Sequence, residues 1–426
     1  MYNKNIIHKQ IEAEQLERLK HTAELVYTTV PFYQMAFDAA GIKPHKIKSL
    51  LDARSLPFTT KADLRNNYPY GMLAVPLDNV VRIHASSGTT GKPTVTAYTG
   101  GDISAWNMLI MRSLETAGVT NKDVFHNAYG YGLFTGGLGF HGGATLRGCA
   151  VVPMSGGSTQ KQVMLMKDFG ATVLGCTPSY ALQIAEVAEA EGINLRDLPL
   201  RIGMLGGEPW SEEMREQIEE RLGISAFDNY GLSEVMGPGV AVECPEKDGL
   251  HIWEDHFYAE IVDPDTGDVM AEGEEGELVL TTLTKSASPL IRYRTGDITS
   301  FKAGPCRCGR THRRINRITG RTDDMLIIRG INVYPSQLES VILRTTGINP
   351  FYQIEVQREG NLDTLTINVE AGTELTTAGR EAMDAIGAKV KRDIKDFVGI
   401  TCKVNVKRIG DVQRTDGKAI RVIDKR

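Results

Sequence analysis

The sequence predicts an α/β protein with a large N-terminal domain on parallel or mixed sheets, a β subdomain within it, and a small α/β C-terminal domain. Three observations carry this. From about residue 80 to 230, short apolar runs alternate with helical periods, the pattern of strands that pair in parallel through covering helices. After about residue 240 the runs become β-type and helical periods drop out. From Arg321 onward both patterns return over about a hundred residues, enough for a compact domain. The expected division is 1–320 and 321–426, with the β subdomain at about 240–320.

The elements follow in order. Leu16, Leu19, Ala23 and Val26 recur at steps of three and four between charged residues, an amphipathic helix that closes before Pro31. Residues 80–84 predict a strand running into a glycine-rich loop, and 124–129 and 149–154 two more strands. Residues 171–177 precede a helix that starts near Pro178. Residues 201–207 precede a helix that opens at Ser211 and closes at Gly223, with a strand at 224–230 behind it. Further on, 256–263, 276–283 and 289–297 read as strands, and 263–268 as a turn. The C-terminal part holds the apolar run 324–330 and predicts a helix after Pro335, a hairpin around Gly360 and Asn361, a helix over roughly 378–395 and a strand at 401–409.

Composition narrows the function. The chain has 426 residues, 41% hydrophobic and 24% charged, with a net charge of −5 and no block of like charges. Nothing in it favours nucleic acid or an anionic membrane as partner. There is no run of about 18 apolar residues and no apolar N-terminal leader, so neither a spanning helix nor a signal peptide is expected. Six cysteines are too few for a secreted disulfide framework, and the expected location is cytoplasmic.

The chemistry concentrates in loops. Ser86, Ser87, Gly88, Thr89, Thr90, Gly91, Lys92, Pro93 and Thr94 combine close-approach glycines, five hydroxyl residues and a mobile cation, an arrangement suited to phosphate oxygens. The two residues between its glycines distinguish it from a P-loop, which has four. Asp228, Asn229, Tyr230, Gly231, Leu232, Ser233 and Glu234 stand at a strand end. Tyr230 can stack on a base, and Glu234 can hold Mg²⁺ beside phosphate oxygens; a carboxylate such as Glu234, taken alone, is more often a solvated surface acid. Asp297 can accept both hydroxyls of a ribose or close an Asx-turn. Lys418 follows a glycine in a polar turn, where a lysine by itself is usually a solvated charge.

A second group has metal-ligand character. Cys306 and Cys308 lie one residue apart in a Pro/Gly turn, and Cys244 and His251 share another polar loop. Together they make a complete tetrahedral set for structural zinc, weighed against four unliganded side chains. His256 and His312 are alternative fourth ligands. Cys149, Cys176 and Cys402 lie in apolar runs and read as buried thiols.

In order, spacing and wording, five segments (86–94, 228–234, 293–297, 320–330 and 414–421) resemble the motifs of the adenylate-forming superfamily of acyl-CoA synthetases, luciferases and peptide-synthetase adenylation domains. Residues 128–143, 249–257 and 321–339 carry a narrower likeness to the phenylacetate–coenzyme A ligase family. The resemblance covers essentially the whole chain. It implies ATP-dependent conversion of an aryl-acetic acid to an acyl-adenylate, then transfer to coenzyme A, with Mg²⁺ as cofactor. The alternative it leaves is an adenylating enzyme that passes another acid to a carrier protein.

Carried over by motif, Ser86 to Thr94 would wrap the outer phosphates and Glu234 would bind Mg²⁺. Gly207, Glu208, Asn229 and Tyr230 would frame the adenine, with Asp228, Gly231 and Ser233 beside them. Asp297 and Arg321 would hold the ribose, and Lys418 the α-phosphate and carboxylate. The resemblance also implies a mobile C-terminal domain hinged at Asp323, which brings Gly330 to the coenzyme A side, and a homodimer. Tyr131, Phe134 and Gly136 are candidates for the acyl pocket, whereas Phe140 reads as core. Gly100 and Gly101 form a further loop without a role. Two departures stand out: Gln413 occupies a position often held by proline, and the interval from Asp297 to Arg321 is long, with the Cys306–Cys308 turn inside it.

Overall fold

The computed structural model describes residues 4–86, 92–322, 324–328, 331–359, 362–414 and 419–426. Helix α1 (Lys4–Thr29) gives way to α2 (Pro31–Ala39) at a proline, which lacks the N–H that would continue α1 and suits a first helical turn. Leu19, Ala23 and Val26 are fully buried, and Leu16 packs at the margin of the same core. Helix α3 (Lys61–Asn66) opens on Thr60, whose hydroxyl accepts from the Asp63 N–H.

Strands β1 (Arg82–Ala85) and β2 (Val95–Tyr98) pair antiparallel with each other alone. Parallel pairing therefore does not extend to the strand predicted at 80–84. The connection 86–94 is too short for the crossover of a dozen or more residues that parallel neighbours need. Gly100 and Gly101, read as a loop, form the first turn of α4 (Gly100–Thr116), where Thr99 and Asp102 make a capping box.

The alternation then runs β3 (Val124–Asn127), α5 (Thr135–Arg147), β4 (Ala150–Val152), α6 (Thr159–Asp168), β5 (Val173–Cys176), α7 (Pro178–Ala190), β6 (Ile202–Leu205), α8 (Glu212–Leu222) and β7 (Ser225–Leu232). Helix α8 opens on Ser211, whose hydroxyl accepts from the Met214 N–H at 3.2 Å, and closes on Gly223 at φ +70°, as the Ser and Gly punctuation predicts.

Next come β8 (Gly237–Glu243), β9 (Leu250–Ile252), β10 (Phe257–Val262), β11 (Gly276–Thr282), β12 (Tyr293–Thr299), β13 (Phe301–Lys302), β14 (Arg314–Ile315) and β15 (Gly320–Arg321). The main sheet has nine strands in the order β13-β14-β9-β8-β7-β6-β5-β3-β4. It is parallel from β4 to β7 and antiparallel from β7 to β13. Strands β10, β11, β12 and β15 make a separate four-stranded sheet. The stretch expected as one β subdomain at 240–320 is thus divided: half of its strands lengthen the main sheet. A change of texture reports antiparallel pairing, not the sheet that a strand joins.

The C-terminal part holds β16 (Leu326–Ile328), β17 (Ile331–Val333), α9 (Pro335–Leu343), β18 (Ile348–Glu359), β19 (Leu362–Ala371), α10 (Thr373–Ala378), α11 (Arg380–Val398), β20 (Lys403–Lys407) and β21 (Val422–Asp424). Its sheet runs β20-β19-β18-β21, antiparallel at the centre and parallel at both edges. Gly360 and Asn361, the predicted hairpin tip, lie outside the described residues. Among the described residues, no helix is long and apolar enough to cross a membrane.

Candidate active site

The carboxyl ends of β3, β5, β6 and β7 meet on one side of the main sheet, where an open α/β sheet offers its binding crevice. The order β6-β5-β3-β4 places the reversal of strand progression beside β3. After β3 come Tyr129 and Tyr131, after β5 the start of α7, after β6 Gly207 and Glu208, and from the end of β7 the run to Glu234.

The two banks of the phosphate loop are joined to Glu234. The Ser86 N–H donates to the Thr94 carbonyl at 3.0 Å, and their hydroxyls are hydrogen bonded. The Thr94 hydroxyl donates to Glu234 Oε1 at 2.8 Å. The Ser233 hydroxyl meets that of Thr135 at 3.0 Å, which fixes the start of α5 to the same turn. Lys92 is exposed, with Nζ 5.6 Å from the Tyr68 ring centroid. A carboxylate that faces a threonine hydroxyl at the rim of an anion-type loop fits a hard divalent cation. Ser87, Gly88, Thr89, Thr90 and Gly91 lie outside the described residues.

On the nucleoside side, β7 and β8 set Asn229 opposite Val242, and Asn229 Oδ1 accepts from the Gly239 N–H at 3.0 Å. Among the described residues, its buried Nδ2 has no hydrogen-bond partner, which suits an acceptor nitrogen of a purine. A Cβ on Gly206 would come within 2.2 Å of the Asn229 carbonyl, and one on Gly231 within 2.1 Å of the Gly237 carbonyl, so both glycines serve close backbone approach. Gly207 is exposed at φ +87°. The Asp228 N–H donates to Glu243 Oε2 at 2.8 Å, and Glu243 is also gripped by both terminal nitrogens of Arg215.

The ribose candidates form a cluster. Antiparallel register sets Asp297 on β12 opposite Arg321 on β15. The Arg321 guanidinium donates to Asp297 Oδ1, and the Tyr230 hydroxyl donates to Asp297 Oδ2 at 2.6 Å. Burial and the Asp297 charge push the Tyr230 pKa well up, so its hydroxyl keeps its proton.

The glycine-rich segment after β3 is closely packed. A Cβ on Gly139 would lie 2.5 Å from the Trp106 ring, one on Gly142 2.0 Å from Asn107 Oδ1, and one on Gly143 2.2 Å from Ile110 Cγ2. These glycines let α5 lie close against α4. Phe140 is core, stacked at 5.0 Å on Tyr129. Tyr131 is held by Asn127 Nδ2 at 2.7 Å and faces His141 Nδ1 at 3.1 Å. Phe134 is 51% exposed at the start of α5, and Gly136 borders the Tyr129 ring.

The chain's tail reaches this rim. Glu208 Oε1 accepts from the Ser179 N–H at 2.7 Å in the first turn of α7, and its Oε2 accepts from the Ala419 N–H at 2.9 Å. Glu208 therefore tethers the residue after Lys418 in addition to its expected place beside the adenine. Arg414 bridges Glu186 on α7 and the fully buried Glu370 on β19. Glu339 Oε1 on α9 accepts from the Ser211 N–H at 3.1 Å. Lys418, Asp323 and Gly330 lie outside the described residues.

The sequence reading missed Lys285 altogether. Its ammonium is buried beneath Glu234 and donates to the Val235 carbonyl at 2.9 Å. The available signal was one lysine inside a run of small and apolar residues, 281–291.

The cysteine–histidine set converges. The ligand atoms of Cys244, His251, Cys306 and Cys308 lie within 4.8 Å of one another. Cys244 Sγ and Cys306 Sγ are 3.6 Å apart, and Cys308 Sγ and His251 Nε2 are 3.4 Å apart. Tetrahedral zinc with Zn–S bonds of about 2.3 Å sets sulfurs about 3.8 Å apart. His251 Nδ1 lies 3.2 Å from the His312 carbonyl. A carbonyl only accepts, so Nδ1 carries the proton and Nε2 presents its lone pair to the cluster, the orientation that metal-bound histidines adopt. The donor set fits zinc. His256 bonds Thr284 instead, and the His312 ring packs on Trp253; neither histidine ring joins the set. Cys149, Cys176 and Cys402 are buried.

A phosphate-type loop joined to a carboxylate, a nucleoside wall and a tail docked at their rim define an adenylate-forming enzyme. The chain belongs to the AMP-binding enzyme family, within the group of the phenylacetate-coenzyme A ligases: the family model for AMP-binding enzyme matches residues 7–284, and that for the AMP-binding enzyme C-terminal domain residues 330–426. The chain is 52% identical to the phenylacetate-coenzyme A ligase of Aromatoleum evansii, over 98% of this chain and 95% of that one. It is likewise 52% identical to that of Escherichia coli, over 98% and 95%. For the ligase of Thermus thermophilus the identity is 49%, over 98% and 97%. Among solved structures, 2-hydroxyisobutyryl-CoA ligase in the postadenylation state with 2-HIB-AMP superposes with a TM-score of 0.92 at 29% identity, over 97% and 90% of the two chains. The same ligase with 2-HIB-AMP and CoA in the thioesterification state gives 0.72 at 29% identity, over 98% and 90%.

Proposed function

We propose that this protein is an AMP-forming phenylacetate–coenzyme A ligase. The carrying observation is near-half identity over almost the full length to phenylacetate-coenzyme A ligases from several bacteria. In the first half-reaction a carboxylate oxygen of phenylacetate attacks the α-phosphorus of ATP. The bond to the bridging oxygen breaks, and pyrophosphate leaves with the electron pair. In the second the sulfur of coenzyme A attacks the acyl carbon, AMP departs, and the thiol proton passes to solvent.

Charge builds on a crowded phosphorus, so positioning and neutralisation supply the catalysis. Ser86 to Thr94 would hold the outer phosphates, Asn229 and Tyr230 the base, and Asp297 and Arg321 the ribose. Lys418 would bring its charge to the α-phosphate, and a flexible ammonium suits a group that must arrive and leave. Magnesium, held by Glu234 and phosphate oxygens, would neutralise the leaving pyrophosphate. The C-terminal domain would turn about Asp323 between half-reactions and present Gly330 to coenzyme A. Tyr131, Phe134 and Gly136 would border the aryl group. Zinc held by Cys244, His251, Cys306 and Cys308 is structural in this reading, since four protein donors leave no open position. A homodimer and a cytoplasmic location complete the reading; light scattering tests the first.

The test is AMP release from ATP. It is expected with phenylacetate and only when coenzyme A is present in substrate amounts. AMP formation that phenylacetate does not stimulate would overturn the assignment.

A further inference from the structure

Lys285 is 2% exposed, and removing an ammonium from water is costly unless every proton finds an acceptor. Among the described residues, its acceptors are not carboxylates. They are the Thr96 hydroxyl on β2, the Val235 carbonyl at 2.9 Å and the Glu234 carbonyl at 3.4 Å. The Tyr98 ring lies 4.6 Å from Nζ and adds cation–π attraction. Asp102, one of two acids whose charge reaches the ammonium, is already committed to the Ser286 and Ala287 N–H groups at 2.6 and 3.0 Å. The segment that carries Lys285 is thereby anchored on α4, and the ammonium reaches from it to two other segments.

Those two segments are the banks of the phosphate site. Strand β2 leaves the glycine-rich loop just before Thr96, and Thr94 donates to the Glu234 carboxylate. Thr96 and the Glu234 and Val235 carbonyls converge on Lys285 Nζ. We propose that Lys285 is a positioning residue for the phosphate end of the nucleotide site, an internal lysine whose hydrogen bonds hold the Thr94 hydroxyl and the Glu234 carboxylate face to face. A methionine would fill the same space without penalty for desolvation, so packing alone does not call for a lysine here. The proposal rests on the ligase reading in one respect, that Thr94 and Glu234 meet MgATP.

Calorimetric titration of MgATP into the full-length protein, with KM values for MgATP, phenylacetate and coenzyme A, tests it. Lys285→Met is expected to weaken MgATP about tenfold or more, while the KM values for phenylacetate and coenzyme A stay within about twofold. Thr96→Val, which removes one acceptor and keeps the lysine, is expected to lower the Tm by a few degrees and to weaken MgATP about threefold, with the KM values for phenylacetate and coenzyme A within about twofold. A folded Lys285→Met protein that binds MgATP like the unsubstituted chain overturns the proposal, as does equal loss for all three substrates. Should Lys285→Met fail to fold, an unchanged MgATP affinity in Thr96→Val overturns it. Unsubstituted protein that does not bind MgATP sinks the ligase reading itself, a different result from any of these.

Discussion

Burial pushes the Asp228 carboxyl up to about 6, against the pull of the Arg317 guanidinium and with help from the Glu243 charge. An unfolded chain holds the same group near 3.8, so between these values the fold takes up a proton that the unfolded chain does not. The linked stability is fully present below about pH 4 and is lost as pH rises through about 6. About two pK units correspond to about 3 kcal/mol; access of water to the partly exposed carboxyl tempers that, and about 1–2 kcal/mol is the expected size. Asp228→Asn should therefore gain about 1–2 kcal/mol on the unsubstituted protein at pH 8, and nothing at pH 4. Urea unfolding at both values measures it, and an identical pH dependence in the two proteins would refute the account. The carboxylate sits beside the bound-base position in the proposed function, so its cost to the fold and its use at the site are separable by this variant. Asp228 was named from the sequence for its place at a strand end, but its environment was not. That depends on Arg215 of α8, Glu243 of β8 and Arg317 of the connection between β14 and β15.

At the scale of elements, signals confined to a few neighbouring residues read well. Ser211 and Gly223 bound α8 because a cap acts over one turn. Proline at 31 and 178 opens helices for the same local reason. Sheet membership read poorly, because pairing partners are distant in sequence. The strand at 80–84 folds back on β2, and half of the strands after residue 240 join the main sheet. The glycines of α5 carried a third ambiguity: composition alone cannot separate room for a ligand from room for Trp106 and Ile110 of α4. The metal set was legible because its residue types are chemically specific. It also gives the long interval from Asp297 to Arg321 a purpose: β12 and β15 still pair at those two residues, and the inserted β13–β14 hairpin carries Cys306 and Cys308. Cys244 follows the end of β8 and His251 lies on β9, so zinc would clasp two hairpins at the edge of the main sheet. Purified protein should contain about one zinc per chain, and Cys306→Ser should lose most of it and unfold at a lower temperature. Unchanged zinc content in that variant, by elemental analysis, would remove the assignment.

Across the whole molecule, the described residues of the two parts of the chain share apolar packing and meet in several polar contacts over α7 and α8. Arg344 reaches Glu213, Glu339 takes the Ser211 N–H, Arg414 grips Glu186, and Glu208 takes the Ala419 N–H. The last two fix Arg414 and Ala419, the described residues on either side of 415–418. Contacts of this kind stabilise only the arrangement that contains them. A variant that weakens one should slow the half-reaction needing that arrangement and leave the other alone. Glu186→Gln suits the test better than removal of Arg414, which would leave the buried Glu370 carboxylate without its cation. A partly exposed ion pair is worth about 1 kcal/mol, and tenfold in rate is about 1.4 kcal/mol. Glu186→Gln should then slow phenylacetate-dependent pyrophosphate exchange about threefold to tenfold, with thioester formation from supplied phenylacetyl-adenylate within about twofold. Lys418→Ala should show the same asymmetry in a more severe form, because it removes the charge that the tail delivers. Equal loss in both half-reactions for either variant would mean that one arrangement serves the entire reaction, and the rotation about Asp323 would have to be abandoned.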